Sequence, residues 1–254
     1  MKTAMPLKEK LKWTGAIQNR LRALQEAKTD LPSSPDPKFS HSCFIGTTSA
    51  YAIECYVEGT AAKSKAAAEL VVHSAVEYFY GSWRKTHKTS KGTSGVDAWK
   101  PYCSWYVQLK ESLPWACALG DWKAVSQLAE YPPEDKLPEA SKAKGEAAWG
   151  WALVSYLRGD PRKRVDEFMK KAEADKAKRP KLLCPVLRAL MDKDEKTFTE
   201  TLLAYLAYYR KSEFKLDLDK LLAFDGTTLY HLGRKQGFKV HLPENVADHV
   251  IRFD

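Results

Sequence analysis

The stretch WALVSYLRGDPRKRVDEF, residues 151–168, decides the fold. Trp149, Leu153 and Tyr156, at steps of 4 and 3, keep one face apolar at the helical period. Gly159 then supplies the left-handed backbone that ends a helix, and Asp160 can cap the next one. Pro161 suits a first helical position, because its missing amide donor would have gone unpaired anyway. Val165, Phe168 and Ala172 form the apolar stripe of the second helix. The stretch reads as two helices joined by a clipped polar corner.

The same grammar recurs on both sides. PWACALGDWKAVSQL, residues 114–128, turns at Gly120 and Asp121; VLRALMDKDEKTFTETL, residues 186–202, turns through a short charged run into a helix striped by Phe198, Leu202, Tyr205 and Tyr209. Gly120 to Gly159 is 39 residues and Leu157 to Leu190 is 33, which are helical-hairpin repeat lengths. A lone hairpin cannot cover its own stripe, so neighbours must stack. The expected fold is all-α: an irregular α-solenoid-like array of stacked helical hairpins, tetratricopeptide-like in length, with a compact C-terminal helical cap. The Trp, Gly, Tyr and Pro positions of tetratricopeptide repeats are not reproduced at matching offsets.

Working outward gives one all-α domain over residues 1–254. Residues 1–28 hold an N-terminal helix, 29–42 a Pro-rich linker around TDLPSSPDPKFS whose prolines exclude a helix, 43–210 the stacked hairpins and 211–254 the cap. Within the array, one helix is expected from about Thr47 to Trp83, with Val72, Val76, Phe79 and Trp83 on one face. The basic run RKTHKTSKGTSG, residues 84–95, reads as an exposed loop; Trp99, Tyr102, Tyr106, Leu109 and Leu113 stripe the next helix, which Pro114 should bend. In the cap, a helix from Thr227 or Thr228 should run to Lys235 and be closed by Gly237. FKVHL follows as extended coil, and a last helix over Asn245 to Arg252 follows Pro243.

A chain of 254 residues with 44% hydrophobic content buries enough surface to fold without metal or disulfides. No apolar run approaches the ~20 residues of a membrane helix, and MKTAMPLKEKLKW carries charges where a signal peptide would be apolar. The expected setting is cytoplasmic, away from membranes. The five cysteines are separated by 12, 48, 14 and 67 positions with no CxxC pair, which fits reduced thiols. The 41 Lys and Arg against 32 acids give a net charge of +9 and favour acidic partners. Residues 161–181 concentrate that excess, nine basic residues against four acids.

No phosphate-binding glycine loop, nucleophile elbow or HExxH motif is present. His231, His241 and His249 are separated by 10 and 8, neither being the spacing that puts two imidazoles on one helical face. Glu54 and Glu58 have helical spacing, as carboxylate pairs on solvated faces routinely do. No catalytic, metal-ligating or cofactor-binding residue is assigned, no cofactor is expected, and the chain is not expected to be an enzyme. Seven of the eight tryptophans lie between Trp83 and Trp151, where indoles bridge stacked helices well. The candidate partner-binding residues are Trp83, Arg84 and Lys85 at the basic loop, and Arg162, Lys163, Arg164, Lys170 and Lys171 on the basic helix. The alternative for the basic helix is a solubilising outer face, and for Trp83 packing between stacked helices.

Two segments carry a family resemblance: WYVQLKESLPWACALGDWKAVSQLAEY, residues 105–131, and FTETLLAYLAYYRKSEFKLDLDKLLAFDGTTLYHLGRKQGFKVHLPENV, residues 198–246. The residues concerned are Ala118, Leu119, Gly120, Asp121 and Trp122, then Leu202, Leu203 and Tyr209, then Asp225, Leu229, Leu232, Gly237, Phe238, Val240 and Pro243. They resemble the bacterial polymorphic-toxin immunity proteins of family forty-nine over about residues 100–247. The resemblance implies an all-α protein that binds and silences a cognate toxin encoded by a neighbouring gene, with no catalytic residues to carry over. Many immunity proteins are acidic, whereas this chain is basic, so the resemblance implies either an acidic toxin surface or a locally acidic binding face. Two other classes stay open: a helical-repeat adaptor for a protein or peptide, and, less favoured, a basic nucleic-acid binder.

Overall fold

A computed structural model describes residues 37–81, 111–130, 143–213 and 221–253. Among the described residues there is helix, turn and coil but no strand, and helices pack in adjacent pairs, so the array is all-α as the stripes require. The chain divides into two compact units: Met1–Leu119 with Phe253–Asp254, and Gly120–Arg252.

In the first unit, α1 (Pro37–Val57) and α2 (Ala61–Tyr80) form a hairpin against which α3 (Leu113–Leu119) packs. Ile45, Ala52, Ile53, Val71, Ala75, Tyr78 and Phe79 are buried between them. The Ser64 hydroxyl donates to the Ala52 carbonyl at 2.9 Å and the Trp115 indole N–H to the Ser49 hydroxyl at 3.0 Å, so buried polar groups are paired across helices. Phe253 lies edge-on to Tyr56, with centroids 6.1 Å apart, and stacks on Trp115 at 6.2 Å.

Two boundaries differ from the sequence reading. The segment 29–42 is not linker throughout, because α1 opens at Pro37, a residue suited to the first turn. The single helix expected from Thr47 to Trp83 is two helices, broken at Gly59 (φ +77°). There the Gly59 N–H donates to Tyr56 O at 3.1 Å and the Thr60 N–H to Cys55 O at 2.9 Å, which is the Schellman pattern of a left-handed helix end. The backbone is π-helical at Glu111 and Ser112, immediately ahead of Pro114.

The second unit holds α4 (Trp122–Glu130), α5 (Gly145–Arg158), α6 (Arg162–Glu173), α7 (Lys178–Asp192), α8 (Glu195–Tyr208) running into a π turn at Tyr209–Glu213, α9 (Phe224–Lys235) and α10 (Glu244–Ala247). The corners fall where the sequence marks them, but Asp160 does not cap α6: Pro161 takes the N-cap position with no side-chain bond, and Asp160 faces Arg164 instead. Gly120 has φ +71°, and Asp121 Oδ1 accepts the Ala124 N–H at 3.0 Å. At Gly159 (φ +75°) and Lys193 (φ +56°) the same paired bonds form as at Gly59. Asp194 then caps α8 by accepting the Thr197 N–H at 3.0 Å.

Hairpin α5–α6 closes on Trp151 stacked against Phe168, 6.0 Å between centroids, and α7–α8 on Leu183, Leu187, Leu190, Phe198 and Leu202. Burying each of these stabilises by about 1.5–3 kcal/mol. Helix α9 crosses α8 at close range, since a Cβ at Gly233 would stand 2.6 Å from the Phe198 ring. That approach lets Phe238 meet Phe198 edge-on at 5.2 Å.

The cap follows the reading in outline and departs from it at the ends. Helix α9 starts at Phe224 rather than Thr227, Gly237 (φ +92°) closes it, and residues 238–243 are coil as expected. The last helix is shorter than expected, Glu244–Ala247. His249, Val250 and Ile251 are instead held as a strap along α9. The Ala223 N–H donates to His249 O at 2.8 Å, the Ile251 N–H to the Thr227 hydroxyl at 3.1 Å, and His231 Nε2–H to Ile251 O at 2.7 Å. His231 and His249 are buried and bonded to the carbonyls of Ile251 and Leu221, whereas His241 is exposed.

Candidate interaction surface

The sequence nominates the outer face of α6, and the structure sorts its cations by what they touch. Arg162 pairs with Asp192 of α7 and with Asp166 one turn on, at 3.6 Å; Asp192 raises its pKa further. Arg164 reaches Asp160 at 3.6 Å and sits 5.8 Å from the Phe168 centroid, while the Lys171 ammonium lies 5.5 Å from the same ring. These three therefore hold corners and cover an aromatic edge, which is work inside the fold. Lys163 and Lys170 are exposed, and with exposed Glu167 they make one stripe of α6. Trp83, Arg84 and Lys85, with the loop 84–95 and most of the 94–113 helix, lie outside the described residues.

The most interconnected charged group is one that the sequence did not nominate. Arg179, at the start of α7, donates through Nε to Asp225 Oδ2 at 3.0 Å, and its Nη2 pairs with the same oxygen. The Trp149 indole N–H donates to Asp225 Oδ1 at 3.2 Å. Asp225 thereby ties α5, α7 and α9 to one carboxylate. Glu146, 3.5 Å from Arg179, and Glu213, 3.8 Å away, complete the surround.

The electrostatics follow from that crowding. Asp225 raises the Arg179 guanidinium pKa, against the opposing cost of burial. Burial pushes the Glu213 carboxyl up, and Arg179 pulls it back down. Burial, with Asp225 adding to it, pushes the Tyr205 phenol well above its ordinary value. Arg188 on α7 makes a second fork, to Glu173 of α6 at 2.7 and 2.5 Å. Of the ten basic residues between 161 and 188, Arg179 and Arg188 are forked to carboxylates of other helices and Arg162 pairs with Asp192.

A signal for this cluster was available in LLAFDGTTLYHL, where Asp225 is a lone acid within an otherwise apolar and hydroxyl-bearing run. A charge so placed is buried only with a partner. Nothing in one-dimensional spacing pointed to Arg179, which is 46 residues away.

Among the described residues no group of three or more His, Cys, Asp or Glu has the geometry to hold a metal, and no helix is long and apolar enough to cross a membrane. No known family, curated protein or solved structure matches the chain.

Proposed function

We propose that this chain is an immunity protein that binds a cognate bacterial toxin and occludes its active site. The observation that supports the reading most is where the residues of the family resemblance fall. Gly120 and Asp121 form a corner, Tyr209 donates its hydroxyl to Leu222 O at 2.9 Å, Asp225 takes Arg179 and Trp149, and Gly237 and Phe238 close α9. They are the fixtures that make the second unit stiff. A stiff helical surface loses little conformational freedom on docking, so more of the contact energy is left for affinity.

Guarding a cell from an enzyme demands slow release, and a nanomolar dissociation constant corresponds to about −12 kcal/mol. Complementary charge hastens encounter, and a chain at +9 is steered toward an acidic toxin face. The test is co-expression of this chain with the product of the adjacent gene. Growth restored by the intact chain supports the reading; equal killing with and without it ends the proposal.

A further inference from the structure

Beside the π turn lies a groove of about 240 Å³ lined by Ala207, Arg210, Lys211, Asn245 and Val246. The turn itself is informative. Helix α8 does not simply end at Tyr208 but widens over Tyr209–Glu213. Arg210 and Lys211 occupy successive positions of that turn, both are exposed, and both line the groove. The other wall is α10, where Val246 is buried and Asn245 exposed. The groove thus offers two adjacent cations, an amide that donates and accepts, and an apolar floor from Ala207 and Val246.

No acid is among the lining residues, and of those nearby Asp248 lies, like Arg210, close enough to His249 to act on it. Glu213, the acid on the same turn, is turned toward Arg179 at 3.8 Å, and Tyr209 is fixed inward by its bond to Leu222 O. Glu244 is exposed at the head of α10, outside the lining residues. Lys178, whose ammonium is 5.2 Å from the Tyr208 ring, adds a further cation at the same end of α8.

We infer that the groove over Arg210 and Lys211 is a docking site for an acidic segment of a partner protein. The Arg210 fork takes one carboxylate in bidentate fashion, Lys211 takes a second as a point charge, and an apolar residue between them rests on Ala207 and Val246. The inference rests on the immunity reading for the identity of that partner, a toxin, and adds which residues of this chain receive its acidic segment.

The experiment measures binding of a short fluorescein-labelled peptide alternating Glu and Leu, by anisotropy, to the full chain. A Gln and Leu peptide and a single-stranded oligothymidylate are run alongside. The Arg210→Gln, Lys211→Gln double variant should bind the acidic peptide about tenfold or more weakly than the unaltered chain, because charge-assisted bonds are lost. Its circular dichroism and melting temperature should be unchanged, since both side chains are exposed. A Lys163→Gln, Lys170→Gln variant, equal in charge removed, should stay within about twofold. Equal weakening by both variants, no weakening by the first, or tighter binding of oligothymidylate than of the acidic peptide would each overturn the inference. The co-expression assay separates the two levels. If the intact chain rescues growth and the Arg210, Lys211 variant rescues it fully, the groove is refuted and the immunity reading stands; if the intact chain never rescues, that reading falls, and peptide binding still judges the groove.

Discussion

Asp225 is 8% exposed and is surrounded by groups from three helices, so its substitution reports directly on how the second unit is held. Removing the charge alone, in Asp225→Asn, leaves Arg179 short of its main counter-charge. Breaking a fully buried pair costs about 3–5 kcal/mol, and the loss here should be about 2 because Glu146 and Glu213 stay near the guanidinium. Replacing both members, Arg179→Met with Asp225→Asn, should recover part of that loss, since no guanidinium is left without its counter-charge while the Asn amide oxygen still accepts from the Trp149 indole. Urea unfolding followed by tryptophan fluorescence measures both. If the single variant costs nothing, or the double variant is worse than the single, Asp225 is not the tie described above. At this scale the sequence was partly legible. The stripes around Trp149, Phe168, Phe198 and Tyr205 mark residues that are buried, because a period of 3.6 is a one-dimensional trace of a three-dimensional face. The partner of a buried charge leaves no such trace.

Helix ends were legible where glycine is followed by an acid, as at Gly120 and Gly159, although only Asp121 serves as a cap, and illegible where one half of that signature is missing. Gly59 is followed by Thr60 and an alanine-rich run, so helical propensity hides a corner that the backbone plainly makes. A proline-rich run signals a helix break, yet Pro37 opens α1, because the ring that bars a helix interior suits its first turn. Lys193 shows the reverse case, a corner in the left-handed region with no glycine, and it is the one non-glycine residue with positive φ among those described. A side chain there crowds its own backbone at a cost of about 1–2 kcal/mol. Lys193→Gly should therefore raise stability by roughly 1 kcal/mol, after allowing for the greater freedom glycine gives the unfolded chain. Thermal melting checks the sign, and a lower midpoint would mean that the corner is not strained in solution.

Over the whole molecule, pH dependence integrates what burial does to titratable groups. His41 in the first unit and His249 in the second both have pKa values lowered from 6.5 by burial. A lowered histidine pKa means the unfolded chain binds protons first as pH falls. The stabilising contribution is fully present above 6.5 and is lost as pH drops from there toward the folded-state values. Each histidine can add a slope of up to about 1.4 kcal/mol per pH unit in that window. Glu213 acts with the opposite sign: its raised carboxyl is most stabilising below its ordinary 4.5 and loses that contribution as pH climbs through the folded-state value. Urea midpoints compared between neutral pH and about pH 5.5 should fall, and His249→Gln should flatten the fall in part, leaving the share due to His41. A midpoint unchanged over that interval would contradict the burial of both rings. Function was less legible than fold at this scale. Net charge counts Arg162, Arg164, Arg179 and Arg188 as available to a partner, and folding has already engaged each of them with a carboxylate.

One detail of the aromatic packing has a consequence in time. Phe253 joins Tyr56 and Trp115, although every residue from Gly120 to Arg252 belongs to the other unit. During translation, α1 to α3 leave the ribosome long before that ring is made. The first-made unit therefore waits, its aromatic seat uncovered, until the second has been synthesised in full, and only then does the nascent polypeptide bring the ring that closes it.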